Sequence, residues 1–173
     1  CVTDETVTLT SVFKIHIDTN AIVWSYTYDK EVHWTCIAID SDGDIFVGGF
    51  GSDAAYLSVE VLKLSANDGT EIWASVCPSA RNIAVDANDN IYVVTDSSGY
   101  SVFNVFHYNG SDGTSRWTTT GTNGILTSKY DDAGAAWKPA FQVAIDSTGR
   151  VFVTAQQYTY TTGLNSLYEI DPV

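Results

Sequence analysis

Residues 36–49 read Cys36-Ile-Ala-Ile-Asp-Ser-Asp-Gly-Asp-Ile-Phe-Val-Gly-Gly49. The same line recurs without a gap as Asn82-Ile-Ala-Val-Asp-Ala-Asn-Asp-Asn-Ile-Tyr-Val-Val-Thr95 and as Gln142-Val-Ala-Ile-Asp-Ser-Thr-Gly-Arg-Val-Phe-Val-Thr-Ala155. Each copy is an apolar strand, a tight turn and a second apolar strand. Asp40, Asp86 and Asp146 open the turn, where a carboxylate accepts hydrogen bonds from amides two or three residues on. Gly43, Asp89 and Gly149 share the position where positive φ is expected, which Gly and Asp tolerate. Each copy therefore reads as a β-hairpin.

A second segment alternates with the first. Val12-Phe-Lys-Ile-His-Ile-Asp-Thr-Asn-Ala-Ile-Val-Trp24 aligns with Val61-Leu-Lys-Leu-Ser-Ala-Asn-Asp-Gly-Thr-Glu-Ile-Trp73 and with Val105-Phe-His-Tyr-Asn-Gly-Ser-Asp-Gly-Thr-Ser-Arg-Trp117. Asn20, Gly69 and Gly113 hold one turn position, four residues before the Trp. Lys14, Lys63 and His107 share a place between apolar neighbours, the pattern of the solvent side of a strand. A further copy begins at Leu167-Tyr168-Glu169-Ile170-Asp171.

Two alternating hairpins make a unit of four strands, a to d, recurring about every 45 residues, the signature of a β-propeller blade. Asp40 to Asp86 is 46 residues and Asp86 to Asp146 is 60. The excess is assigned to an inserted loop over 120–140. Residues 1–27 supply a partial blade (c and d), 36–75 and 82–119 one blade each, and 141–173 a partial blade (a, b and c). The expected fold is thus all-β, with four-stranded antiparallel blades and an incomplete ring. The rest of that ring is expected from further sequence or from other chains. Strands are expected near 36–40, 44–49, 59–65, 71–75, 82–86, 90–95, 103–108, 115–119, 141–146, 150–155 and 166–171.

The a–b hairpins resemble NHL-type propeller repeats. The c–d hairpins, with Gly-x-x-x-Trp after a polar turn, resemble the tryptophan-docking repeats of quinoprotein (pyrroloquinoline quinone) propellers. The resemblance covers residues 12–171. It implies that Trp24, Trp73 and Trp117 pack between neighbouring blades as structural residues. It also offers an alternative function, a fragment of a quinone-dependent oxidoreductase. Such enzymes need a full ring, calcium-binding acids and, in many, adjacent cysteines. Cys1, Cys36 and Cys77 are not adjacent.

Composition narrows the partners. The 173 residues hold 21 acidic and 8 basic side chains, a formal net charge of −13. That field repels phosphate backbones and anionic lipid, so no nucleic-acid partner is expected. No apolar run is long enough to span a membrane. Cys36 lies in an apolar strand and reads as a small buried hydrophobe. Gly-x-Ser-x-Gly and His-Glu-x-x-His are both absent. Asp40-Ser41-Asp42-Gly43-Asp44 lacks the length and distal Glu of a calcium loop, and reads as a plain turn. No catalytic residue, metal or cofactor is expected.

Alternation puts the short a–b and c–d turns at one end of the blades. The longer d–a and b–c connections, 27–35, 50–58, 96–102, 120–140 and 156–165, fall at the other. Long loops on a rigid scaffold are the usual place for recognition. The candidate binding residues there are His33, Trp34, Arg81, Tyr130, Trp137, Lys138, Tyr158 and Tyr160, with Tyr56 and Tyr100 nearby. Aromatic rings beside polar groups suit glycan or protein contacts. The expected function is a non-enzymatic scaffold or binding propeller. Asp/Asn/Gly/Thr-rich, lysine-poor repeats of this style resemble bacterial extracellular and phage structural proteins, which implies an extracellular, cell-surface or virion location.

Overall fold

A computed structural model describes residues 10–30, 32–51, 60–77, 79–96, 103–116, 125–127, 140–158 and 163–170. Among them the chain is all strand and turn. The strands are β1 (Thr10–Ile15), β2 (Ile22–Tyr28), β3 (Val32–Ile39), β4 (Ile45–Gly51), β5 (Glu60–Leu64), β6 (Glu71–Val76) and β7 (Ala80–Val85). They continue as β8 (Ile91–Asp96), β9 (Phe103–Tyr108), β10 (Ile125–Thr127), β11 (Ala140–Ile145), β12 (Val151–Tyr158) and β13 (Gly163–Ile170). They form four antiparallel sheets, each a meander in chain order: β1-β2, β3-β4-β5-β6, β7-β8-β9-β10 and β11-β12-β13.

The repeated hairpin has one geometry three times. Ile39 pairs with Ile45, Val85 with Ile91 and Ile145 with Val151, each closing a turn opened by Asp. Asp40 Oδ1 accepts from the amides of Asp42 (3.1 Å) and Asp44 (2.8 Å). Asp86 does the same with Asn88 and Asn90, and Asp146 with Thr148 and Arg150. The donors are therefore two and four residues on. Gly43, Asp89 and Gly149 take φ of 84°, 60° and 86°.

Three cores lie between consecutive sheets. Val12, Trp24 and Tyr28 of the first sheet pack on Ile45, Val47, Leu62 and Leu64 of the second. Phe46, Val61 and Trp73 meet Ile83, Ile91, Val93 and Phe106 of the third. Tyr92, Val94 and Val105 meet Val143, Val151 and Val153 of the fourth. The second and third sheets are thus apolar on both faces, which is why β4 and β8 read as near-continuous hydrophobic runs. The first strands β3, β7 and β11 lie side by side.

Three expectations need correction. Of the strand expected at 115–119, only Ser115 and Arg116 are among the described residues. Tyr108 bridges Ser115, and the strand beside β9 is β10, Ile125–Thr127, inside the stretch read as an inserted loop. Leu126 is the register partner of Val105 there.

Lys63 and His107 are not on a solvent side, since a second sheet covers that face. Lys63 is buried, with Nζ 2.8 Å from Asp40 and 3.4 Å from Asp44 and its charge over the Phe46 ring. Burial alone would pull its pKa down, but the hydrogen bond and charge of Asp40, with those of Asp44, hold it above its ordinary value. Only Lys14 stays exposed, and its Nζ reaches the Ala66 carbonyl at 2.6 Å.

His107 is half-buried and stacks on Tyr92, ring centroids 4.2 Å apart. Burial and then the Arg116 charge lower its pKa from 6.5 to about 4, with Asp86 opposing. Between those values the unfolded chain binds the proton and the folded one does not. Stability is therefore full above about pH 6.5 and falls as the pH drops toward 4. Urea midpoints should decline over that window. The His107→Gln variant should show a shallower decline, and an unchanged slope would contradict the assignment.

Candidate functional site

The residues that come together do so at one rim of the second and third sheets. Their placement begins with a bulge. The β3–β4 register shifts between Trp34 and Cys36, the β7–β8 register between Ala80 and Asn82, and the β11–β12 register between Ala140 and Gln142. The extra residues, Thr35, Arg81 and Phe141, occupy one repeat position. A bulge re-aims side chains locally and is often found beside functional sites. Here it brings the His33 carbonyl against Gly49, where an added Cβ would lie 2.2 Å from that oxygen. Thr35 Oγ1 then donates to the Ala80 carbonyl at 2.5 Å, tying the two bulged strands together.

His33 and Phe50, opposed across the ladder, place their rings 5.2 Å apart. The Arg81 guanidinium lies over the same Phe50 ring at 5.3 Å. Two cationic or hydrogen-bonding groups thus flank one aromatic ring, and His33 is exposed. A second cluster sits beside it. Trp34 and Tyr28 have ring centroids 5.3 Å apart, and Lys30 Nζ lies 3.2 Å from the Tyr28 hydroxyl. Among the described residues the buried Trp34 Nε1–H has no hydrogen-bond partner.

His33, Trp34 and Arg81 were expected in long loops and instead lie on β3 and β7. Only three residues separate β2 from β3 and β6 from β7, so these d–a connections are short. The reason is the bulge: strand pairing continues past it, and Val32 still pairs with Gly51. Tyr158 ends β12, paired with Gly163. Tyr130, Trp137, Lys138, Tyr160 and the neighbouring Tyr56 and Tyr100 lie outside the described residues. Sequence reading passed over Phe50, Tyr28 and Lys30. The signal for Phe50 was present in Gly48-Gly49-Phe50-Gly51, where glycine marks close backbone approach and leaves one ring displayed.

Two of the three docking tryptophans are described. Trp24 is buried, donates from Nε1 to the Ala66 carbonyl at 3.1 Å and covers Gly69. Trp73 is buried, donates to the Gly110 carbonyl at 3.0 Å and covers Gly113. Each ring lies under the second-hairpin turn of the following sheet. Trp117 lies outside the described residues.

Among the described residues no group of three or more His, Cys, Asp or Glu is placed to hold a metal ion. Nor is any helix there long and apolar enough to cross a membrane. Burial raises the Cys36 thiol to about 11 and pushes Cys77 higher still, so neither offers a thiolate at neutral pH.

No protein-family model matches the chain. No curated protein matches it either. Among solved structures it is similar to a protein of unknown function from Bacteroides caccae, known from a crystal structure. The TM-score is 0.50 and the identity 13%, over 88% of this chain and 51% of that one. At that identity the likeness speaks to the all-β fold alone. The chain spans about half the length of that structure.

Proposed function

We propose that the chain is an arc of β-propeller blades that serves as a non-enzymatic binding scaffold, with the His33–Phe50–Arg81 rim as its recognition surface. What supports the propeller reading is the order of the parts. The first strands β3, β7 and β11 of successive meanders lie side by side, and Trp24 and Trp73 each dock under the following turn. What supports recognition is the cluster at the bulged rim, an aromatic ring in contact with an imidazole and a guanidinium. Aromatic faces beside fixed donors suit the apolar face and hydroxyls of a sugar ring. The net charge of −13 favours a neutral glycan over an acidic one. The lysine-poor repeat style favours an extracellular, cell-surface or virion setting.

A glycan array tests this. Reproducible neutral-glycan hits are expected, weakened about tenfold or more in Phe50→Ala and in Arg81→Ala. Absence of hits, or hits indifferent to both variants, would overturn glycan recognition at this rim and leave a protein-binding or assembly role.

A further inference from the structure

Ile37 and Ile39 are 61% and 62% exposed. The repeat shows what belongs on them. Ile83 and Val143 stand where Ile37 stands, one and two repeats later, and they are only 6% and 7% exposed. Ile83 is covered by the first two strands of the preceding sheet, through Cys36, Ala38 and Phe46. Val143 is covered likewise through Ala84, Tyr92 and Val94. The sheet preceding Ile37 contains, among the described residues, only the two later strands, β1 and β2. These cover Ile45 and Val47 and, on β3, Val32 and Trp34, but leave Ile37 and Ile39 exposed. Among the described residues β1 pairs only with β2.

We propose that this gap is a docking site for a two-stranded antiparallel hairpin of the chain's own repeat chemistry. Its first strand lays a small residue, the counterpart of Ala38 and Ala84, over Ile37 and Ile39. Its second strand carries the aromatic counterpart of Phe46 and Tyr92 and adds to the edge of β1 through backbone hydrogen bonds. Edge-to-edge pairing of two copies through β1 would satisfy the backbone but leave both isoleucines wet, so the hairpin fits better. This inference rests on the blade order of the proposed function and not on its glycan rim.

The test is fluorescence anisotropy with a labelled peptide of residues 80–96, closed by an amide linkage at its open end. An isolated hairpin is marginal in water, and closure removes part of its ordering cost. The 173-residue chain should bind it saturably. Ile37→Asp and Ile39→Lys should each weaken binding about tenfold or more, because each puts a charge under the docked strand. Ile72→Asp, at an exposed position on β6, should change nothing. Absence of saturable binding, or equal binding by Ile37→Asp, would overturn the docking site. Self-association without peptide binding, lost in Ile37→Asp, would overturn the hairpin in favour of a second copy. If the blade order itself were wrong, Trp73→Ala would leave stability intact. Peptide failure beside a large Trp73→Ala effect would therefore indict the docking site alone.

Discussion

Replacing Trp73 by Ala should cost about 3–5 kcal/mol, the usual penalty for truncating a large core aromatic. The ring is 8% exposed and lies 5.8 Å from Phe46, centroid to centroid. Its loss opens a cavity between the second and third sheets. It also strips the Gly110 carbonyl of its indole donor, and an unsatisfied buried acceptor adds to the cost. Urea unfolding followed by far-UV circular dichroism reads the change. A loss below about 1 kcal/mol would show that the ring is a surface decoration and not a dock.

The second large effect is expected at Lys63→Met, about 3–5 kcal/mol. Lys63 and Asp40 have side chains 9% and 1% exposed. Removing the ammonium leaves a buried carboxylate held by two backbone amides alone. Adding Asp40→Asn should recover part of the loss, since the amide oxygen keeps those two bonds and the uncompensated charge is gone. Equal stability of Lys63→Met and wild type would mean that the pair is solvated. A double variant less stable than the single would mean that the charge on Asp40 serves another partner.

The same pair shows where sequence reading stops. The hairpin at 36–49 was legible to the residue, because turn chemistry is local: an Asp opens it, a positive φ is placed three residues later, and both are visible in the letters. The repeat marked one position for Trp24 and Trp73, and the resemblance to tryptophan-docking repeats implied their burial. The side of Lys63 was not legible, because period two tells which residues share a face and not what covers that face. Lys63 faces a neighbouring core and is neutralised by the turn of its own sheet. Nor was the rim legible. His33 and Arg81 were placed in loops because nothing in an apolar run announces a bulge that lets pairing continue through them. Strand β10 was not legible either, since it lies in the stretch that the repeat spacing assigned to an inserted loop.

The second sheet is joined to the third by Trp73, seated under the turn at Gly113. A double-mutant cycle on Trp73 and Gly113 tests it most directly. Gly113 has φ of 71°, and a Cβ there would lie 2.6 Å from Trp73 Cε3. In wild type, Gly113→Ala suffers both the backbone strain and the collision; in the Trp73→Ala background only the strain remains. Gly113→Ala is expected to cost at least about 1 kcal/mol less when Trp73 is absent, a coupling in the range found for residues in contact. Equal costs in the two backgrounds would contradict it.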